Sequence, residues 1–150
     1  MESLHPMVIH FPIALLMAAF LVETLALVIR QPAWHRLALW NLVLGTLGTA
    51  VAVVTGRQAM AVAKHSYQIH QVMELHERLG YVVLGLTTLI TVWRLFLRDR
   101  FNRRGRLIPW AILGMVCGII AFSAHLGGRM VYEFGVGGSY GRSAVEIMVR

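Results

Sequence analysis

Four long apolar runs, separated by short polar stretches, dominate the hydropathy pattern of this chain. They cover about residues 7–29, 37–63, 79–97 and 108–126. Each run is close to the roughly 20 apolar residues that a helix needs to cross the hydrocarbon core of a bilayer. The pattern therefore predicts an all-α, four-helix, up-down transmembrane bundle, followed by a glycine-rich extracytoplasmic tail at 127–150.

Composition agrees with a membrane location. The chain has 150 residues, of which 57% are hydrophobic and 14% are charged, whereas soluble domains carry about 25% charged residues. We therefore expect a single integral membrane domain over 1–150, in contact with the lipid bilayer. The net charge of +7 does not indicate a nucleic-acid partner, because the basic residues lie in loops between apolar runs.

The distribution of arginine predicts the orientation in the membrane. The loops after the first and third runs are rich in arginine, whereas basic residues on the opposite side are offset by glutamates. Because basic loops stay in the cytoplasm, we expect a bacterial inner-membrane protein with both termini periplasmic. We expect the first run to remain as a membrane anchor, since no lysine or arginine precedes Arg30 to form a signal-peptide start.

Six of the seven histidines fall at the predicted periplasmic ends of the helices. They are His5, His10, His65, His70, His76 and His125. Neutral imidazole is the commonest metal ligand among side chains, and helical bundles hold cofactors with side chains from facing helices. This sorting favours a cofactor or metal site at that end, but it does not identify the ligand.

A b-type haem needs two histidines from different helices. The best candidates are His10, His76 and His125, because each lies within about one turn of a predicted helix end, where an unused polar group is costly. His70 is the reserve candidate. Gly80, one turn after His76, would leave flat space for a planar cofactor.

Two arginines at the histidine end are candidates for binding an anionic or polar head group. Arg57 and Arg129 would hold a haem propionate or the head group of a quinone, and extension of their side chains toward the membrane interface is the competing account. The chain contains no nucleophile–base pair at recognisable spacing and no phosphate-binding loop. An electron-transfer or accessory subunit is therefore favoured over a stand-alone enzyme.

Simpler roles remain open for the polar residues. The histidines that we assign to haem would also suit copper or zinc, although no stretch matches a specific zinc signature, or they are merely hydrogen-bonded. We expect His5 to stabilise the start of the first helix and His35, in the opposite loop, to have no ligand role. Glu23, an acid within the first run, either lines a proton path or pairs with an arginine of a neighbouring helix.

The chain also carries three motif-like segments: LHPMVIHFP at 4–12, HERLG at 76–80 and HLGGRMVY at 125–132. Together they resemble a bacterial four-helix membrane family known as domain of unknown function 2231. The resemblance extends from His5 to about Gly138 and places the family's motif histidines at His5, His10, His76 and His125. The family has no settled activity, but its members occur beside or fused to cytochrome c-like modules, which implies a redox setting.

The leading hypothesis is a membrane b-type haem electron-transfer protein or redox-complex subunit with a periplasm-facing histidine site. Its expected partners are quinone and a cytochrome c or a larger respiratory or photosynthetic complex. The alternatives are a haem-free accessory subunit of a larger membrane complex, or a copper- or zinc-binding membrane protein.

Overall fold

The computed structural model describes residues 5–62, 67–96 and 103–133, and its ordered elements are helices. The helices are α1 (His5–Val8), α2 (His10–Ile29), α3 (Pro32–Val62), α4 (Tyr67–Phe96) and α5 (Arg103–Tyr132). α1 leads into α2 through a single turn residue, because the Ile9 amide still donates to the His5 carbonyl at 3.1 Å. The two therefore form one span, and the all-α prediction is confirmed for the described part of the chain.

In the described part of the chain, four segments are long and apolar enough to cross a membrane: His5–Ile29, Pro32–Ala61, Ile69–Phe96 and Gly105–Tyr132. They contain 25 to 30 residues each, which is about 38–45 Å of helix against a hydrocarbon core of about 30 Å. Large apolar side chains such as Leu21, Trp40 and Phe122 are exposed on the outer surface. In a membrane protein this surface contacts lipid.

The helices extend beyond the apolar runs that predicted them. α3 begins at Pro32 rather than near residue 37, since proline is favoured at the first helical position. α4 begins at Tyr67 rather than near 79. α5 continues to Tyr132, so residues 127–132, which the hydropathy pattern assigns to the glycine-rich tail, are helical instead. The rest of the predicted tail, 134–150, and His65 lie outside the described residues.

The helices form a square, up-down bundle. Helices that follow one another in the sequence pack together, and α5 closes the ring by packing against α2. The first span (α1 and α2) and α4 therefore occupy opposite corners. Leu16, Leu42, Ile90, Leu113 and Val116 fill the centre and are at most 1% exposed.

Buried hydroxyl groups line the contact between α3 and α4. Thr46 and Thr91 hydrogen-bond to each other at 3.0 Å. Thr46, Thr49 and Thr87 each also donate to a carbonyl four residues earlier in their own helix, at 2.8 Å. Polar groups within a bilayer must find partners inside the protein, and these threonines do so without leaving the core.

Close packing of α2 on α3 depends on Gly45. A Cβ atom at this position would lie 2.8 Å from Leu16 Cδ2 and 2.9 Å from Leu16 Cγ, and Leu16 is only 1% exposed. We expect Gly45→Ala to lower the free energy of unfolding by about 1–3 kcal/mol, measured by denaturation in mixed micelles. Gly85→Ala is the control, because a Cβ there would meet nothing within 4 Å. Equal stability of the two variants would contradict this packing.

Candidate functional site

The rings of His5 and His76 lie next to each other, edge to face, at one end of the bundle. Their centroids lie 6.4 Å apart and their planes are at 85°. His5 begins α1 and His76 lies on α4, and the backbones of these two helices do not approach each other closely. The two imidazoles therefore meet across the diagonal of the bundle, and both are partly buried.

Thr55 and Gly56 of α3 position the His5 ring. Its Nδ1 lies 3.2 Å from Thr55 Oγ1. The Thr55 hydroxyl itself donates to the carbonyls of Val51 and Ala52 at 3.0 and 3.1 Å, so it accepts a hydrogen bond from Nδ1–H. Gly56 provides the room, because a Cβ there would lie 3.0 Å from His5 Cε1. In the neutral ring, Nε2 then carries the lone pair.

α5 holds the His76 ring in the same way. His76 Nδ1 lies 3.0 Å from both the carbonyl oxygen and the hydroxyl oxygen of Ser123. A carbonyl only accepts, so we assign the proton to Nδ1 and the lone pair to Nε2. Histidines that bind metals have this arrangement, in which one ring nitrogen donates to a protein oxygen and the other is the ligand.

The other predicted histidine ligands lie on the outside of the bundle. His10, His70 and His125 are exposed, and His10 Nδ1 donates to the Pro6 carbonyl at 2.7 Å. The structure thus pairs His76 with His5 rather than with His10 or His125. Within the described ranges, no group of three or more histidine, cysteine, aspartate or glutamate side chains is arranged to hold a metal ion.

The arginines predicted to bind a head group, and the glycine predicted to make room for a planar cofactor, lie near this end of the bundle. Arg57 is 68% exposed and its Nε lies 3.8 Å from Glu77 Oε1. Arg129 Nε donates to both carboxylate oxygens of Glu133, at 2.9 and 3.1 Å. Gly80 packs toward α3, where an added Cβ would first meet Val53 at 3.7 Å. Arg57, with its long and exposed ion pair, is the more available of the two arginines.

A second polar cluster lies at the other end of the bundle and joins three helices. Glu23 of α2 has a side chain that is 3% exposed, with His35 Nδ1 2.9 Å from Oε1 and an Arg94 guanidinium nitrogen 2.9 Å from Oε2. Arg94, on α4, also donates to the His35 carbonyl at 3.2 Å. The expected pairing of Glu23 with an arginine is confirmed, but the arginine comes from the diagonally opposite helix rather than from a neighbouring one.

Sequence reasoning missed the role of His35 in this cluster. The hydropathy pattern predicts a loop at this position, whereas α3 begins at Pro32 and holds His35 in its first turn beside the end of α2. Proline at a helix start was the available signal. Next to the cluster, Trp110 of α5 donates to Thr24 Oγ1 at 2.9 Å and stacks on Phe20, which fixes α5 against α2.

Comparison with known proteins gives one match. A family model described as a predicted membrane protein (DUF2231) covers residues 1–139, a range that includes both polar clusters. No curated protein and no solved structure matches the chain.

Proposed function

The chain belongs to the DUF2231 family of predicted membrane proteins, and from this premise we propose that it is a membrane b-type haem electron-transfer protein or redox-complex subunit. The observation that carries the proposal is the pair formed by His5 and His76. Two imidazoles come from opposite corners of the bundle, and each uses Nδ1 for a hydrogen bond to the protein. Both Nε2 atoms are thereby left to act as ligands.

The separation of the rings supports one ligand shared by both histidines. Their centroids lie 6.4 Å apart, and two imidazoles that each bind one metal at about 2 Å from a ring nitrogen would have centroids roughly 5–6 Å apart. A structural zinc site also needs about four protein ligands, and the described residues group no third ligand with this pair.

The surrounding residues would position the ligands rather than take part in a reaction. Thr55 fixes the plane of the His5 ring, and Ser123 fixes that of His76. Arg57, which is exposed beside the pair, would bind a propionate through charge-assisted hydrogen bonds. Haem held by these two histidines would supply one-electron transfer.

We place the histidine end on the periplasmic side of a bacterial inner membrane, with both termini on that side. The support is the positive-inside rule, since Arg30, Arg36 and Arg94 lie near the end that contains Glu23. Electrons would then pass between quinone in the bilayer and a periplasmic cytochrome c or a larger respiratory or photosynthetic complex.

A reduced-minus-oxidised absorption spectrum of the purified protein, expressed with haem supplementation, tests the proposal. We expect the sharp band of low-spin b-type haem, at a stoichiometric amount relative to the chain. Absence of haem, with stoichiometric copper or zinc by elemental analysis, would overturn the proposal in favour of a metal site. Absence of both would overturn it in favour of an accessory subunit whose histidines only form hydrogen bonds.

A further inference from the structure

We propose that the end of the bundle opposite the histidine pair binds anionic phospholipid, whose phosphate is held by arginine side chains. The arginines concerned are Arg30, Arg36 and Arg106, and we call their end of the bundle the arginine end. The proposal rests on positive charge without a described counter-charge and on the apolar surface beside it. It does not depend on haem binding at the other end.

The three arginines lie around the end of α2. Arg30 directly follows α2, and Arg36 lies in the second turn of α3. Arg106 lies one turn before Trp110 on α5, and Trp110 donates to Thr24 Oγ1 of α2 at 2.9 Å. Because α2 and α5 run in opposite directions, Arg106 is at about the height of the last turn of α2.

The arginine end carries positive charge that the described carboxylates do not neutralise. Glu23 is the one carboxylate that the described residues place at this end, and Arg94 already lies 2.9 Å from it. No ion pair within the described ranges involves the other three arginines. A guanidinium does not lose its proton in proteins, so all three remain cationic.

The histidine end lacks this excess of charge, although it also carries arginines. Each described arginine there has a glutamate partner: Arg57 and Glu77 at 3.8 Å, Arg78 and Glu74 at 2.6 Å, and Arg129 and Glu133 at 2.9 Å. An anionic ligand is therefore attracted more strongly to the arginine end than to the histidine end.

Exposed apolar side chains adjoin each of the three arginines in the sequence. Val28 and Ile29 precede Arg30, Leu37 follows Arg36, and Leu107 and Ile108 follow Arg106, and these five apolar side chains are 45% to 74% exposed. In a membrane protein they contact acyl chains. A cation beside such a surface matches a phospholipid, in which the phosphate and the acyl chains are joined, better than it matches a soluble acidic partner.

Phospholipid headgroups lie where the spans end, which is where these arginines are. A guanidinium binds phosphate through two parallel hydrogen bonds. One basic residue near an anionic membrane surface strengthens binding by about fivefold. We therefore expect a preference of about fivefold or more for an anionic over a zwitterionic phospholipid at the arginine end.

The tryptophans provide an intrinsic probe of this end. They are Trp34, Trp40, Trp93 and Trp110. α3 and α5 begin, and α4 ends, within one or two turns of these residues, so all four lie at the arginine end. Trp40 is one turn after Arg36 and is 65% exposed, as is typical of tryptophan at a membrane interface. Brominated acyl chains quench tryptophan fluorescence on contact, so quenching reports which lipid lies there.

Quenching in the full-length protein, reconstituted in vesicles of equal parts phosphatidylcholine and phosphatidylglycerol, tests the proposal. Bromine is placed on one lipid or on the other, at the same overall composition. We expect brominated phosphatidylglycerol to quench as if it were enriched about fivefold or more beside the tryptophans. The enrichment should fall at high salt, because exposed charges are then screened.

Substitutions assign the enrichment to particular residues. Arg36→Gln should lower it, whereas Arg78→Gln is the matched control, since it removes one exposed arginine at the other end, and should leave it unchanged. The triple variant Arg30→Gln/Arg36→Gln/Arg106→Gln should bring the ratio of the two lipids close to one. Circular dichroism checks that each variant remains helical.

Three results would overturn the inference. The first is equal quenching by the two brominated lipids in the wild-type protein, which would leave the arginines to a soluble acidic partner. The second is an equal loss in Arg36→Gln and Arg78→Gln, which would reflect net charge alone. The third is a preference that survives in the triple variant. If the triple variant does not fold, the wild-type protein and the matched pair still decide. None of these measurements involves haem, so this inference and the proposed function can fail independently.

Discussion

Replacing either His5 or His76 with alanine is expected to abolish the low-spin b-type spectrum of the purified protein. Each histidine would supply one of the two haem ligands, and the described residues form no metal site of three or more histidine, cysteine, aspartate or glutamate side chains. We expect haem content to fall by more than about tenfold, because even the loss of a residue that only orients a metal ligand weakens binding by about 10–100-fold. Absorption spectra at equal protein concentration measure the effect.

Matched controls are available at the same end of the bundle. His10→Ala and His125→Ala remove exposed histidines and should leave the spectrum unchanged. Thr55→Val removes the acceptor of the His5 Nδ1–H bond while keeping the shape of the side chain. We expect a weakened affinity for haem with an otherwise similar spectrum, because Thr55 orients the His5 ring and is not itself a ligand.

The same set of variants can contradict the ligand assignment. If His10→Ala or His125→Ala removes the band while His5→Ala preserves it, the axial ligands are those that the sequence alone favoured. Circular dichroism of each variant separates loss of haem from loss of fold, because an apoprotein that remains helical has lost only its cofactor.

The sequence predicts the height of each histidine in the membrane, but not the direction in which it points. Each residue advances about 100° around a helix, so His5 and His10 would point roughly 140° apart on a continuous helix. Only one of them can face the interior. His125 follows Ser123 by two residues, roughly 200° around α5, and Ser123 is the residue that contacts His76. The rotation of each helix therefore decides the site, and tertiary packing sets that rotation.

The number and order of the spans could be read from hydropathy because the bilayer demands continuous apolar helices. Hydropathy reports only the part of a helix in the hydrocarbon, so the ends were less well predicted. The first turns of α4 carry polar side chains such as His70 and Glu74 and project beyond the apolar run. The early start of α3 is what brings His35 to Glu23, and for this reason that cluster was only partly anticipated.

Glu23→Gln is expected to destabilise the bundle by about 3–5 kcal/mol, because it leaves the charge of Arg94 buried without a partner. The guanidinium reaches across the diagonal from α4 to α2 and is only 12% exposed, so water cannot replace the carboxylate. The variant also weakens the hydrogen bond that holds His35. Denaturation in mixed micelles, followed by circular dichroism, measures the loss.

An exposed arginine–glutamate pair on the same protein provides the comparison. Arg78 and Glu74 lie 2.6 Å apart on α4 with side chains that are 73% and 48% exposed, and breaking such a pair costs at most about 1 kcal/mol. Glu74→Gln should therefore leave stability nearly unchanged. The double variant Glu23→Gln/Arg94→Gln should recover much of the loss caused by Glu23→Gln, because it removes the uncompensated charge. If Glu23→Gln is as mild as Glu74→Gln, or if the two losses at Glu23 and Arg94 simply add, then the cluster does not act as a buried ion pair across the bundle.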